Sequence, residues 1–211
     1  VDSQAVIPLT TVDSIYRVPL VLEDSGLGNY IVDRLGYGHK TPPNLVDWRE
    51  LVRKIEVHKP VLSVALVGKY VELQDSYLSV KESLIHAGIS NNVEIQIEWI
   101  NSEEINSNNI NDIFNDIKGI IVPGGFDKRG TQGMIDACRY ARENKIPYFG
   151  LCLGMQIMVI EAARNLLGYD ESNSTEFDET TPFPVIDLMP EQLKSFHKGG
   201  SMRLGLYECN L

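Results

Sequence analysis

The 211 residues are 43% hydrophobic and 23% charged, a balance that suits one folded domain of ordinary size, or one plus a fragment, and excludes a disordered or fibrous chain. Nineteen Lys and Arg against 29 Asp and Glu give a net charge of −10, which disfavours a surface for nucleic acid or anionic membrane but leaves room for a locally bound anion. No apolar run approaches the roughly 18 residues that span a bilayer, and the opening VDSQAVIPLTTVDS lacks the basic and apolar regions of a signal peptide, so the chain reads as cytoplasmic.

In chain order, residues 14–22 (SIYRVPLVL) open a short helix that 27–36 (LGNYIVDRLG) continues, and 36–43 (GYGHKTPP) is a breaker-rich linker. Residues 44–57 space Leu45, Trp48, Leu51, Val52 and Ile55 as a helix with Asn44 as N-cap. From 61 onward the pattern alternates. VLSVALVG (61–68) predicts a strand buried on both faces, 76–88 a helix stopped by Gly88, and VEIQIEWI (93–100) a period-two strand. An Asn-rich helix over 107–117 leads to a strand at 118–125 that enters a glycine turn. A helix over 133–144, a strand at 146–154 with a second glycine turn, and a helix over 156–167 follow. Beyond 168 the chain is turn-rich. Strands alternating with helices predict an α/β fold with a doubly wound, largely parallel sheet, whose crevice lies at the carboxyl ends of the strands, where both glycine turns fall.

The three cysteines, Cys138, Cys152 and Cys209, are odd in number and lack metal-ligand spacing, which argues against a disulfide framework or a zinc site. Gly150-Leu151-Cys152-Leu153-Gly154 places one of them at a strand-to-helix turn with small flanking residues. That is the sequence form of an elbow projecting a nucleophile, with a helix N-terminus aimed at the sulfur to favour the thiolate. The plainer reading of Cys152 is a small core residue, which is the one preferred for Cys138 and Cys209. Pro123-Gly124-Gly125-Phe126 supplies a second turn whose backbone N–H groups can approach a ligand closely, as an oxyanion hole requires. Together the two turns suggest acyl transfer through a thioester.

Pro123-Gly124-Gly125-Phe126 followed by Gly150-Leu151-Cys152-Leu153-Gly154-Met155-Gln156 resembles the class I glutamine amidotransferases. Asn173-Ser174-Thr175-Glu176-Phe177 and Gly199-Gly200-Ser201-Met202-Arg203-Leu204-Gly205 narrow the resemblance to the CTP synthase family. Val12-Asp13-Ser14-Ile15-Tyr16 and Val67-Gly68-Lys69-Tyr70 extend it over essentially the whole chain. The resemblance implies a flavodoxin-like amidotransferase domain over 61–211, truncated at its C-terminus, after an interdomain linker and helix (41–60) and the tail of an amidoligase domain (1–40). It implies amination of UTP to CTP with ATP and Mg2+, ammonia drawn from glutamine, GTP as activator, and a homotetramer. Cys152 is then the nucleophile, Gly125 and Leu153 the oxyanion donors, and Leu153, Gly154, Met155, Gln156 and Glu176 the glutamine pocket. A carboxylate at Glu176 suits the substrate's α-ammonium group. Phe126 and Arg203 fall among GTP-responsive elements, and Val12 beside the ATP adenine.

Two departures stand out. The family reads PGGFG where this chain has Asp127 after Phe126, which alters the loop or adds repulsion toward phosphates. The family's catalytic H-x-E pair is absent, since none of His39, His58, His86 and His197 is followed two residues later by Glu. These 211 residues alone are therefore expected to be a fragment without turnover, lacking a general base. The alternatives are another class I amidotransferase, or a glutamine- or GTP-binding regulatory module that has lost catalysis.

Overall fold

The computed structural model describes residues 2–38 and 41–188. Its chain divides into two units, Val1–Pro60 with Ile85–Glu94, and Val61–Leu84 with Ile95–Leu211.

In the first unit, Ser14 Oγ accepts the Tyr16 N–H (3.3 Å) and caps a 3₁₀ turn, Ile15–Arg17, that runs into α1 (Val18–Asp24). The continuous helix expected over 14–36 is broken at Gly26, whose φ of 83° is freely open only to glycine, and α2 (Leu27–Arg34) starts afresh. The helix expected over 44–57 forms as α3 (Val46–Glu56); Leu45 occupies the N-cap position, but the Asn44 side chain still accepts the Val46 N–H (3.1 Å). The Trp48 indole N–H donates to the Tyr16 carbonyl (2.7 Å), and the Tyr16 hydroxyl shares a 2.6 Å hydrogen bond with His86 Nε2, which gives that histidine a structural partner.

The second unit carries β1 (Val61–Gly68), α4 (Leu78–Asn91, belonging here through Leu84) and β2 (Glu94–Asn101, from Ile95). It continues with α5 (Ile110–Ile113), β3 (Gly119–Val122), α6 (Thr131–Glu143), β4 (Tyr148–Gly150), α7 (Leu153–Asn165), β5 (Ser172–Ser174) and β6 (Phe183–Ile186). The main sheet has the order β2-β1-β3-β4, with β1–β3 and β3–β4 parallel. This is the expected α/β architecture. On β1 the period of two sends Ala65 and Val67 into a core with Phe114, Met134, Leu153, Ile157 and Ile160. Leu66, between them, packs against Val71, Tyr77 and Trp99. Both faces are therefore covered, as an apolar run without alternation demands. Because β1 has β2 on one side and β3 on the other, the direction of winding reverses between β1 and β3, and their carboxyl ends open a crevice.

Three expectations give way to local chemistry. Helix α4 runs past Gly88 to Asn91 and stops where Asn92 turns left-handed (φ 56°), with the Val93 N–H closing onto the Gly88 carbonyl at 2.9 Å. The Asn-rich helix shrinks to the four residues of α5, because Asn106 and Asn109 spend their side chains on nearby backbone groups instead of leaving the backbone to a helical ladder. The turn-rich tail hides β5 and β6, a parallel pair whose sequences lack a regular apolar alternation. No helix among the described residues is long and apolar enough to cross a membrane.

Helix α7 seats directly on the sheet. A Cβ on Gly154 would lie 2.1 Å from the Val122 carbonyl oxygen, and one on Gly150 would lie 2.3 Å from the Gly154 carbonyl. Since backbone must move in either case, Gly154→Ala is expected to destabilise the chain by about 1–3 kcal/mol in chemical denaturation. An unchanged denaturation midpoint would show that the helix seats differently.

Candidate active site

Strands β1, β3 and β4 deliver their following residues to one rim of the second unit. After β4 the chain turns abruptly. The Leu151 N–H donates to the Val122 carbonyl of β3 (2.9 Å), and Cys152 takes φ 52°, ψ −101° before α7 begins. For a residue with a Cβ this conformation is strained, at a cost of about 1–3 kcal/mol unless its surroundings enforce it. Cys152 is exposed, whereas Cys138 on α6 is buried with its thiol pushed up to about 12, foremost by desolvation. The carbonyl of Cys152 accepts the N–H groups of Met155 (3.1 Å) and Gln156 (3.2 Å), so α7 starts immediately behind the sulfur-bearing residue.

The glycine turn after β3 lies against this elbow. A Cβ on Gly124 would sit 3.6 Å from the Cβ of Cys152, and one on Gly125 would sit 3.1 Å from the Leu153 side chain. Leu153 and Gly154 are buried, Met155 is partly exposed, and the Phe126 ring stands out at 76% exposure. The Gln156 side-chain oxygen is buried and has no hydrogen-bond partner among the described residues, an acceptor that a polar ligand can satisfy.

The loop beyond the turn is anchored from three directions. Lys69, buried at the end of β1, donates from Nζ to the carbonyl of Phe126 (2.7 Å) and to that of Asp127. Burial lowers the Lys69 pKa, an effect opposed by the charge of Asp127, reinforced by Arg129, and opposed again by Glu176 and Glu103. Asp127 sits at φ 65°, in the left-handed region where Asp is tolerated better than most residues. Its carboxylate accepts the Arg129 N–H at 2.6 Å. This is the physical reason that Asp127 can occupy a position glycine would fill without strain. Its own N–H donates to Glu176 Oε1 (3.1 Å), which brings the acid of the 173–177 segment to the loop beside Cys152. Arg129 lies over the Tyr70 ring (5.3 Å) and pairs with Glu103.

Cys152, Gly125, Leu153, Gly154, Met155, Gln156, Phe126 and Glu176 thus share one neighbourhood. Lys69 and Asp127 join them as loop anchors. For Lys69 the sequence signal was a lysine directly after a doubly buried strand at the reversal of winding. Val12 lies in the first unit, partly buried in an irregular segment. Arg203, His197, Cys209 and His39 lie outside the described residues, as does the segment 199–205. The described residues of the second unit include no histidine.

The model of the family described as Glutamine amidotransferase class-I matches residues 72–211. Over its whole length the chain is 56% identical to a CTP synthase of Roseiflexus castenholzii and 54% identical to one of Pelotomaculum thermopropionicum. It spans only 38% and 39% of the length of those relatives. A solved structure described as Trypanosoma brucei CTPS, glutaminase domain with bound acivicin, is similar with a TM-score of 0.58 at 38% identity, covering 61% of this chain and 50% of that one.

The Asp127 carboxyl is held below its ordinary range, foremost by the Arg129 N–H. With its folded pKa depressed, this anchor is fully present above the ordinary carboxyl pKa and fades as pH falls through the folded value. At neutral pH, Asp127→Ala removes the acceptor and keeps a Cβ at φ 65°, so amide exchange at Arg129 is expected to accelerate about tenfold, the equivalent of about one hydrogen bond. Asp127→Asn, whose amide oxygen can still accept, should stay near the parent rate. Equal rates in all three chains would remove the anchor from the account.

Proposed function

Because the chain belongs to the class I glutamine amidotransferase family, we propose that it carries the glutamine-hydrolysing site of a CTP synthase, with Cys152 as nucleophile. The observation that carries this reading is the exposed thiol of Cys152 on a strained strand-to-helix elbow beside the Gly124-Gly125 turn.

The chemistry follows from the groups in place. Cys152 Sγ attacks the side-chain amide carbon of glutamine, and the carbonyl oxygen takes up negative charge opposite the backbone N–H groups of Gly125 and Leu153. Collapse of the tetrahedral species breaks the C–N bond, releases ammonia and leaves a γ-glutamyl thioester that water converts to glutamate. The departing nitrogen needs a proton and the attacking water needs a base. Neither is a histidine among the described residues of this unit, and the family's H-x-E pair is the group that suits both tasks. Glu176, held by the Asp127 N–H, pairs with the substrate α-ammonium group, and the buried Gln156 oxygen accepts a hydrogen bond from the substrate. Leu153, Gly154 and Met155 line the pocket.

In this reading the ammonia aminates UTP with ATP and Mg2+, whose sites lie mainly beyond these residues, with Val12 beside the adenine. No step of the hydrolysis runs through ATP or the metal. The exposed Phe126 ring and Arg203 respond to GTP as activator, and the protein works in the cytoplasm as a homotetramer. The 211 residues taken alone acylate once, the proton given up by the Cys152 thiol going to the departing nitrogen, and without a base for the attacking water they do not turn over.

Acivicin, the compound carried by the trypanosomal relative, is an electrophilic amino acid suited to the test. Peptide mapping is expected to place a single adduct on Cys152, with excess glutamine slowing its formation and Cys138 left unmodified. Modification indifferent to glutamine, or placed elsewhere, would refute the assignment.

A further inference from the structure

Behind the elbow lie buried polar groups that the proposed hydrolysis does not use. Glu161, on α7, is buried and paired with Arg142 of α6 (2.8 Å) and with Asn165 (3.1 Å), which accounts for it as a fastening between two helices. Tyr148 is different. It stands on β4, four residues before Cys152, with its ring packed against the main core, and its hydroxyl donates to the Gly154 carbonyl at 2.9 Å. That carbonyl belongs to the first turn of α7, two residues past Cys152. The hydrogen bond therefore spans the elbow, joining the strand that enters it to the helix that leaves it.

We propose that Tyr148 is a positioning residue for the nucleophile, its hydroxyl strapping β4 to the first turn of α7 and so holding Cys152 in the φ 52° conformation that presents its thiol. The proposal rests on the assignment of Cys152 as the reacting group.

Three observations support it. A strained residue persists only where its neighbours over-determine it, and the other hydrogen bonds of this turn among the described residues are main-chain ones: Leu151 to Val122 and Gly154 to Leu151, each at 2.9 Å, and Met155 and Gln156 to the Cys152 carbonyl. Glycine at 150 and 154 brings strand and helix backbone together without a side chain between them, which leaves the turn no side-chain packing of its own at those points. The hydroxyl also remains a donor throughout the working pH range. Burial foremost pushes the Tyr148 pKa up, and the neighbouring Cys138, through its charge and a hydrogen bond with the Tyr148 hydroxyl, and Glu161 push it the same way.

The test compares two reagents on the full chain and on Tyr148→Phe, which keeps the ring and removes only the hydroxyl. Acivicin must be aligned in the pocket before it reacts, whereas iodoacetamide needs only an accessible thiolate. Tyr148→Phe is expected to lower the maximal rate of Cys152 modification by acivicin about tenfold or more, the scale of a small misplacement of a reacting group. The acivicin concentration giving half that rate should be nearly unchanged. Iodoacetamide should react within about twofold of the parent rate, and the melting temperature should fall by a few degrees, the loss of about one hydrogen bond. Cys138→Ala removes a second partner of the Tyr148 hydroxyl but keeps that hydroxyl on the Gly154 carbonyl; it should react with acivicin at the parent rate and serves as the control for a disturbed core. An unchanged acivicin rate in Tyr148→Phe would overturn the proposal, as would equal slowing by both reagents or matching loss in Cys138→Ala. Failure of the parent chain to react with acivicin at Cys152 would instead overturn the functional assignment beneath it.

Discussion

A residue with a side chain sits at φ 52°, ψ −101° only when the structure around it leaves no other choice, and at Cys152 almost every nearby feature serves that end. The Leu151 N–H is fixed to β3, Leu153 is driven into the core one residue later, and the glycines at 150 and 154 remove the Cβ atoms that would push helix and strand apart. The strain is confined to one residue. Its offset is spread over the burial of α7, where Ile157 and Ile160 are fully inside. The consequence is a thiol carried on rigid elements at a sheet edge that faces solvent, rather than one buried like Cys138, whose desolvation keeps it protonated and inert.

The loop opposite is held by a different kind of force. Its anchors are charged groups acting on backbone: Lys69 on two carbonyls, the Asp127 carboxylate on the Arg129 N–H, and Glu176 on the Asp127 N–H. Glu176 therefore faces two ways, toward the loop that would line an oxyanion and toward the amino group of the proposed substrate. A ligand that draws on Glu176 also loads the hydrogen bond that fixes Asp127. Under the proposed function, substrate recognition and the shape of the glycine turn meet at a single carboxylate.

Much of this could be read from the residues alone, for reasons that differ by element. β1 and α3 were clear because long apolar runs and three-to-four spacing survive any tertiary context. The elbow was clear because Gly150, Cys152 and Gly154 occur together where a strand meets a helix. α5 was overestimated because asparagine side chains compete with the helix backbone, and β5 and β6 were missed because short polar strands carry no period. The Gly88 stop failed because the helix runs on through that buried glycine and the left-handed turn falls at Asn92 instead. Tyr148 gave no signal as a site residue, and Lys69 only the weak one of following a doubly buried strand, for a deeper reason. A lysine after a strand and a tyrosine on one look ordinary, and only the fold reveals that their polar tips reach backbone carbonyls around Cys152.

The central claim is that this geometry makes Cys152 an acyl acceptor for the side chain of glutamine. Its most direct test is acid-quenched intact mass spectrometry of the chain mixed with glutamine. The account predicts one γ-glutamyl group bound per chain, absent from Cys152→Ala. An adduct that survives in Cys152→Ala, or a parent chain that never acquires one, would contradict it.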